Sequence, residues 1–136
     1  MSANVYSLTG VSTTVDFTNS ATQTYGTNSQ ASSSTPTGIM GMWSGNVNGD
    51  TIVQYSGTSP DAPTILSTVL NDSGNFLNFS TFVINGYNDN DVNLNGTTQY
   101  EGGSADSPLI LQNVLAHPSN FLNFSTYQIQ EQLPEN

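Results

Sequence analysis

The 136-residue chain has no lysine, no arginine and no cysteine, and its formal net charge is −10. Nucleic-acid binding needs cations that displace counterions from phosphates, so that class of function is excluded. Anionic membrane surfaces and phosphorylated ligands are disfavoured for the same reason. Without cysteine there are no disulfide staples, no thiol catalysis and no thiolate zinc sites. No apolar run approaches the roughly 20 residues that span a bilayer, so membrane insertion is not expected. No basic n-region or apolar h-region follows Met1, so an exported form is expected to be a mature chain or a piece of something longer. Charged residues make up only 7% of the chain, against roughly 25% in ordinary soluble proteins. What is present is Asn, Ser, Thr and Gly around 35% hydrophobic residues, enough for a modest core.

The chain repeats itself. Residues 46–81 and 91–126 align without a gap at an offset of 45. Asn48 matches Asn93, Tyr55 matches Tyr100, Gly57 matches Gly102, and Asp61 matches Asp106. The heptapeptide NFLNFST at 75–81 recurs unchanged at 120–126. Two copies are too few for a solenoid, so they are expected to face each other across a pseudo-twofold axis. Each copy reads as a loop, a helix and an extended aromatic segment. Ile65, Leu66, Val69 and Leu70 share one helical face, and Ile110, Leu111, Val114 and Leu115 repeat it. Asp61 and Asp106 stand where an N-cap is expected, each two residues before a proline in the first turn.

Residues 1–43 differ from the repeat region, 44–136. Val11, Thr13, Val15 and Phe17 alternate with polar neighbours and predict a half-buried strand. Val5 to Leu8 and Ile39 to Trp43 are further strand candidates, and residues 30–38 read as a polar loop or linker. The expected fold is α+β: a small N-terminal antiparallel sheet packed on the pseudo-twofold pair of loop–helix repeats, as one compact unit.

The loops carry the chemistry. Asp91, Asn93 and Asn95 fall at alternate positions before Gly96, and Asn46, Asn48 and Asp50 fall at the same places in copy one. Alternating oxygen side chains around a tight turn are the first half of a calcium loop of EF-hand type. The backbone carbonyls of Ile52 and Thr97 stand at loop position seven. Asp61 and Asp106 lie at position sixteen, beyond the usual twelfth, so these loops are longer than an EF-hand's. The bland alternative is that Asn, Asp and Gly form ordinary turns whose side chains cap their own backbone.

DVNLNGTTQYEGGSADSPLIL and its partner copy resemble the dockerin-like calcium repeats that close large secreted bacterial surface proteins. Those proteins are described as haemagglutinin- or adhesin-like and come chiefly from Bacteroidetes. The resemblance covers about residues 40–134, including EQLP at 131–134, and more weakly 15–30. It implies an extracellular or cell-surface location and two calcium ions. Loop positions one, three, five and sixteen would be Asn46, Asn48, Asp50 and Asp61, then Asp91, Asn93, Asn95 and Asp106. The chain departs from the family pattern: Gln54 and Gln99 replace a basic residue before the tyrosine. Loop one lacks the first aspartate and the glycine, and loop two lacks the aspartate at position five. With two carboxylates per loop, the expected affinity is roughly 0.1–1 mM. Asp89 and Glu101 favour tighter binding in loop two.

Other residues carry weaker signals. His117 is the only histidine and is expected at the surface. No nucleophile-elbow, phosphate-binding or metalloprotease pattern occurs, so no catalytic residue is assigned. Phe76, Phe79, Phe121 and Phe124 are expected in the core, with a surface for a neighbouring subunit or ligand as the alternative. Trp43 and Tyr6 are candidates for a sugar platform. The expected function is a non-enzymatic, calcium-stabilised extracellular module with a structural or adhesive role. The alternatives are a self-assembling subunit of a filament or sheath, and a module that binds carbohydrate or a cohesin-type partner.

Overall fold

Two ten-residue helices, α1 (Ala62–Asn71) and α2 (Ser107–Ala116), form where the apolar spacing predicts them. Proline in the first turn of each costs no intrahelical hydrogen bond. Both are too short to hold in water alone, and they pack on each other. Ile65 and Val69 of α1 and Ile110 and Val114 of α2 are completely buried. Val47, Val53, Val92 and Ile129 extend this core.

The computed structural model describes residues 2–7, 9–22, 24–32 and 36–130. Leu8, residues 33–35 of the polar loop and the EQLP segment at 131–134 lie outside the described residues. The class is mixed α+β, with two helices and three two-stranded antiparallel ladders among the described residues. The chain divides into two units, one within the first 43 residues and the other Ser44–Gln130.

In the first unit, β1 (Gln30–Ala31) pairs with β2 (Gly41–Met42). The strand expected over Val11, Thr13, Val15 and Phe17 does not form. Its end is taken by a turn, in which Asp16 Oδ1 accepts the backbone N–H and the hydroxyl of Thr18. No described strand pairs with it, and alternation alone does not make a strand without a ladder partner. Residues 5–7 of the Val5 to Leu8 candidate form no strand either, and both Val5 and Val11 are exposed. The one strand formed inside Ile39–Trp43 is β2. Its partner β1 lies in the stretch that reads as a polar loop.

In the second unit the copies exchange strands. β3 (Ile52–Val53) of the first copy pairs with β6 (Ile129–Gln130) after the second. β4 (Ile84–Asn85) pairs with β5 (Thr97–Thr98) in the same way. Ile52 faces Gln130, and at the offset of 45 Thr97 faces Asn85. This reciprocal register is what a pseudo-twofold relation between the copies requires.

Candidate functional site: two aspartate-centred loops

Asp61 and Asp106 occupy the N-cap positions of α1 and α2, yet neither side chain caps its helix. Both turn back into the preceding loop. Asp61 Oδ1 accepts the N–H groups of Val47 at 2.9 Å and Asn48 at 3.3 Å, and Oδ2 accepts that of Gln54 at 2.8 Å. Asp106 accepts from Asn93 at 3.2 Å and Gln99 at 2.9 Å, with the Val92 N–H also directed to it. The loops need these donors satisfied more than the helices do, because the helix side is already served by proline and by the Asp61 and Asp106 carbonyls.

Each carboxylate is fully buried. Burial pushes both carboxyls above their ordinary value, against the opposing effect of the N–H donors. The negative charges of Asp50 and Asp91 add to the rise at Asp61 and Asp106 respectively. Asp50 itself is held below the usual carboxylate value, chiefly by its hydrogen bond with the Ser59 side chain.

The remaining loop residues gather around these centres. Asn46 Oδ1 accepts from Gly49 and Asp50, Asn48 Oδ1 accepts from Asp50, and Asp50 Oδ1 accepts from Ile52. In loop two the Asp91 oxygens accept from Asn95 at 3.0 Å and Gly96 at 2.9 Å. Asn93 Oδ1 accepts from Asn95, and Asn95 Oδ1 from Thr97. Hydrogen bonds therefore link Asn46, Asn48, Asp50, Ile52 and Asp61 in one loop, and Asp91, Asn93, Asn95, Thr97 and Asp106 in the other.

Among the described residues, no group of three or more His, Asp or Glu side chains is placed to hold a metal ion. Each loop offers two carboxylates, with amide and backbone oxygens beside them. That donor set fits a hard cation in kind: Asp50 Oδ1, Asp61 Oδ2, both Asp91 oxygens and Asp106 Oδ2 each accept one N–H and keep a lone pair, whereas Asp61 Oδ1 and Asn46 Oδ1 already accept two. Glu101 is engaged elsewhere: it accepts the Ser80 hydroxyl at 2.7 Å, across the copies.

Two residue pairs hold the site together, and sequence reasoning gave them no structural role. The first pair is Gln54 and Gln99, which precede the tyrosine of each loop. The Gln54 amide donates to the Thr126 carbonyl at 2.7 Å and accepts from the Ser59 N–H at 3.0 Å. Gln99 repeats this with Thr81 at 2.8 Å and Ser104 at 3.3 Å. Each glutamine thus ties its own loop to the other copy. A Cβ on Gly57 or Gly102, both at positive φ, would fall 2.6 or 2.5 Å from the glutamine amide nitrogen, which explains the glycine of the Tyr-x-Gly sequence. The second pair is Asn75 and Asn120, both buried. The Asn75 amide donates to Val69 O of the helix and Phe79 O beyond it, and its oxygen accepts the Phe79 N–H. Asn120 does the same with Val114 and Phe124. The signal available for both pairs was their recurrence at the repeat offset.

Two expectations are corrected. Phe76, Phe79, Phe121 and Phe124 are exposed and not in the core. The NFLNF segments are tight turns, which point these rings outward and leave the core to the helix faces. His117 is buried and stacked on Tyr127, with ring centroids 5.2 Å apart. Trp43 belongs to the first unit, where its indole N–H donates to Asn28 O at 2.7 Å. Among the described residues no helix is long and apolar enough to cross a membrane. No family model, no curated protein and no solved structure matches this chain.

Proposed function

We propose that the chain is a non-enzymatic structural or adhesive module of an extracellular surface protein, in which each loop–helix repeat is closed by calcium. The observation that carries this reading is the buried pair Asp61 and Asp106. Each lies within electrostatic reach of a second carboxylate, in a chain that has no Lys or Arg to neutralise it. Asn46, Asn48, Asp50, Asp61 and the Ile52 carbonyl would hold one ion. Asp91, Asn93, Asn95, Asp106 and the Thr97 carbonyl would hold the other. Bound calcium supplies the positive charge that these carboxylates lack. The chain's own residues then tie each loop to the start of its helix. Asp61 and Asp106 are committed to backbone N–H groups, which suits a structural role better than proton transfer.

Calorimetric titration of chelator-treated protein with calcium tests the proposal. Two binding events in the range of roughly 0.1–1 mM are expected, the tighter at the loop that keeps Asp91. Asn46→Asp tightens the weaker event and Asp91→Asn weakens the tighter one. Absence of heat and of any melting-temperature change at several times that concentration overturns it.

A further inference from the structure

The duplication leaves the same apolar group uncovered twice. Phe76, Leu77 and Phe79 are 82%, 68% and 56% exposed, and Phe121, Leu122 and Phe124 are 81%, 59% and 56% exposed. Both turns are braced: Asn75 and Asn120 grip their ends, and Asn78 and Asn123 adopt left-handed backbone at φ 52° and 54°. A phenylalanine carries roughly 150–250 Å² of surface, so each turn holds on the order of 300–400 Å² of apolar area in water. That is the size at which an exposed patch marks an interaction site.

The two turns differ at their borders. Beside the first, Asp72 accepts from the Gly74 N–H and Glu101 from the Ser80 hydroxyl. The equivalent positions beside the second are His117 and Ser56, and Ser56 meets Ser125 through both hydroxyls. Residues 118–130 contain no Asp or Glu. Among the described residues, the positions equivalent to Asp72 and Glu101 carry no carboxylate at the second turn.

We infer that the second turn is a self-association surface, on which Phe121, Leu122 and Phe124 of one chain pack against the same residues of a second copy. Charge selects the occupant. With a net charge of −10 and no Lys or Arg, close approach of two copies sets carboxylate against carboxylate wherever acids line the contact. Two first turns in contact would gather four carboxylates, from Asp72 and Glu101 of each chain. Two second turns in contact gather none of these. A basic partner, by contrast, would be drawn to the acid-bordered first turn. Contact of a patch with itself is isologous and closes as a twofold dimer. The area per chain is below the roughly 800 Å² per partner of a stable complex, so the dimer is weak and set by concentration. The surface is independent of the proposed calcium loops.

Sedimentation of the full chain from micromolar to millimolar concentration, in chelator and in calcium, tests the inference. The mass is expected to rise towards twice the monomer's in both conditions. Phe121→Ser abolishes the rise without moving the melting temperature, and Phe76→Ser leaves it intact. A monomer throughout, growth beyond a dimer, equal loss in both variants, or a rise only with calcium would each overturn it. None of those results bears on whether calorimetry detects calcium binding.

Discussion

The two copies of the repeat share a backbone plan and differ in where they put charge. Asp61 and Asp106, Gln54 and Gln99, and Asn75 and Asn120 make the same hydrogen bonds to equivalent partners. Asn46 against Asp91, Ser56 against Glu101, and Asp72 against His117 break the match. The lesson is that buried groups satisfying backbone donors and acceptors hold the plan. The loop openings and patch borders diverge even where the side chain is buried, as at Asp91 and His117.

The largest effects are expected at the pair the copies share most deeply. Asp61→Ala and Asp106→Ala each strand buried N–H donors, and each should cost about 3–5 kcal/mol in denaturant unfolding. Nearly equal losses keep the copies equivalent, whereas one tolerant site would break the comparison. Asn75→Ala and Asn120→Ala should each cost about 2 kcal/mol by the same measurement, because each removes hydrogen bonds at a helix end and its following turn. The smallest effect is that of pH. Both buried carboxyls titrate above the ordinary 3.8, so the folded state takes up protons more readily than the unfolded chain. Their contribution therefore raises the melting temperature as pH falls from neutral towards 4, in chelator, and levels off below the unfolded value. Asp61→Asn and Asp106→Asn should each remove part of that slope. A slope of opposite sign would show that the N–H donors outweigh burial.

Much of the second unit is legible from local pattern. Ile65, Val69, Ile110 and Val114 announce both helices by spacing, and the Asn/Asp/Gly runs announce both loops. The first unit is less legible. The alternation from Val11 to Phe17 reads as a strand, but a strand exists only where another supplies its ladder. The phenylalanines were misread because an aromatic residue favours burial on average, whereas the Asn75 and Asn120 brackets decide which way each turn faces. His117 was misread because its burial depends on Tyr127, ten residues further on.

Order along the chain was enough to establish the duplication, the two helices, the oxygen-rich loops and the absence of any basic counter-charge. These follow from composition and from periodicities a few residues long. Three-dimensional packing alone decided that each copy lends a strand to the other, that the aspartates serve the loops and not the helix ends, and that the repeated phenylalanines face water. The first depends on ladders between the copies, the second on hydrogen bonds spanning 7 to 14 residues and the third on the Asn75 and Asn120 brackets. In each, competing hydrogen-bond partners and the shape of the shared core choose among options that local pattern leaves open.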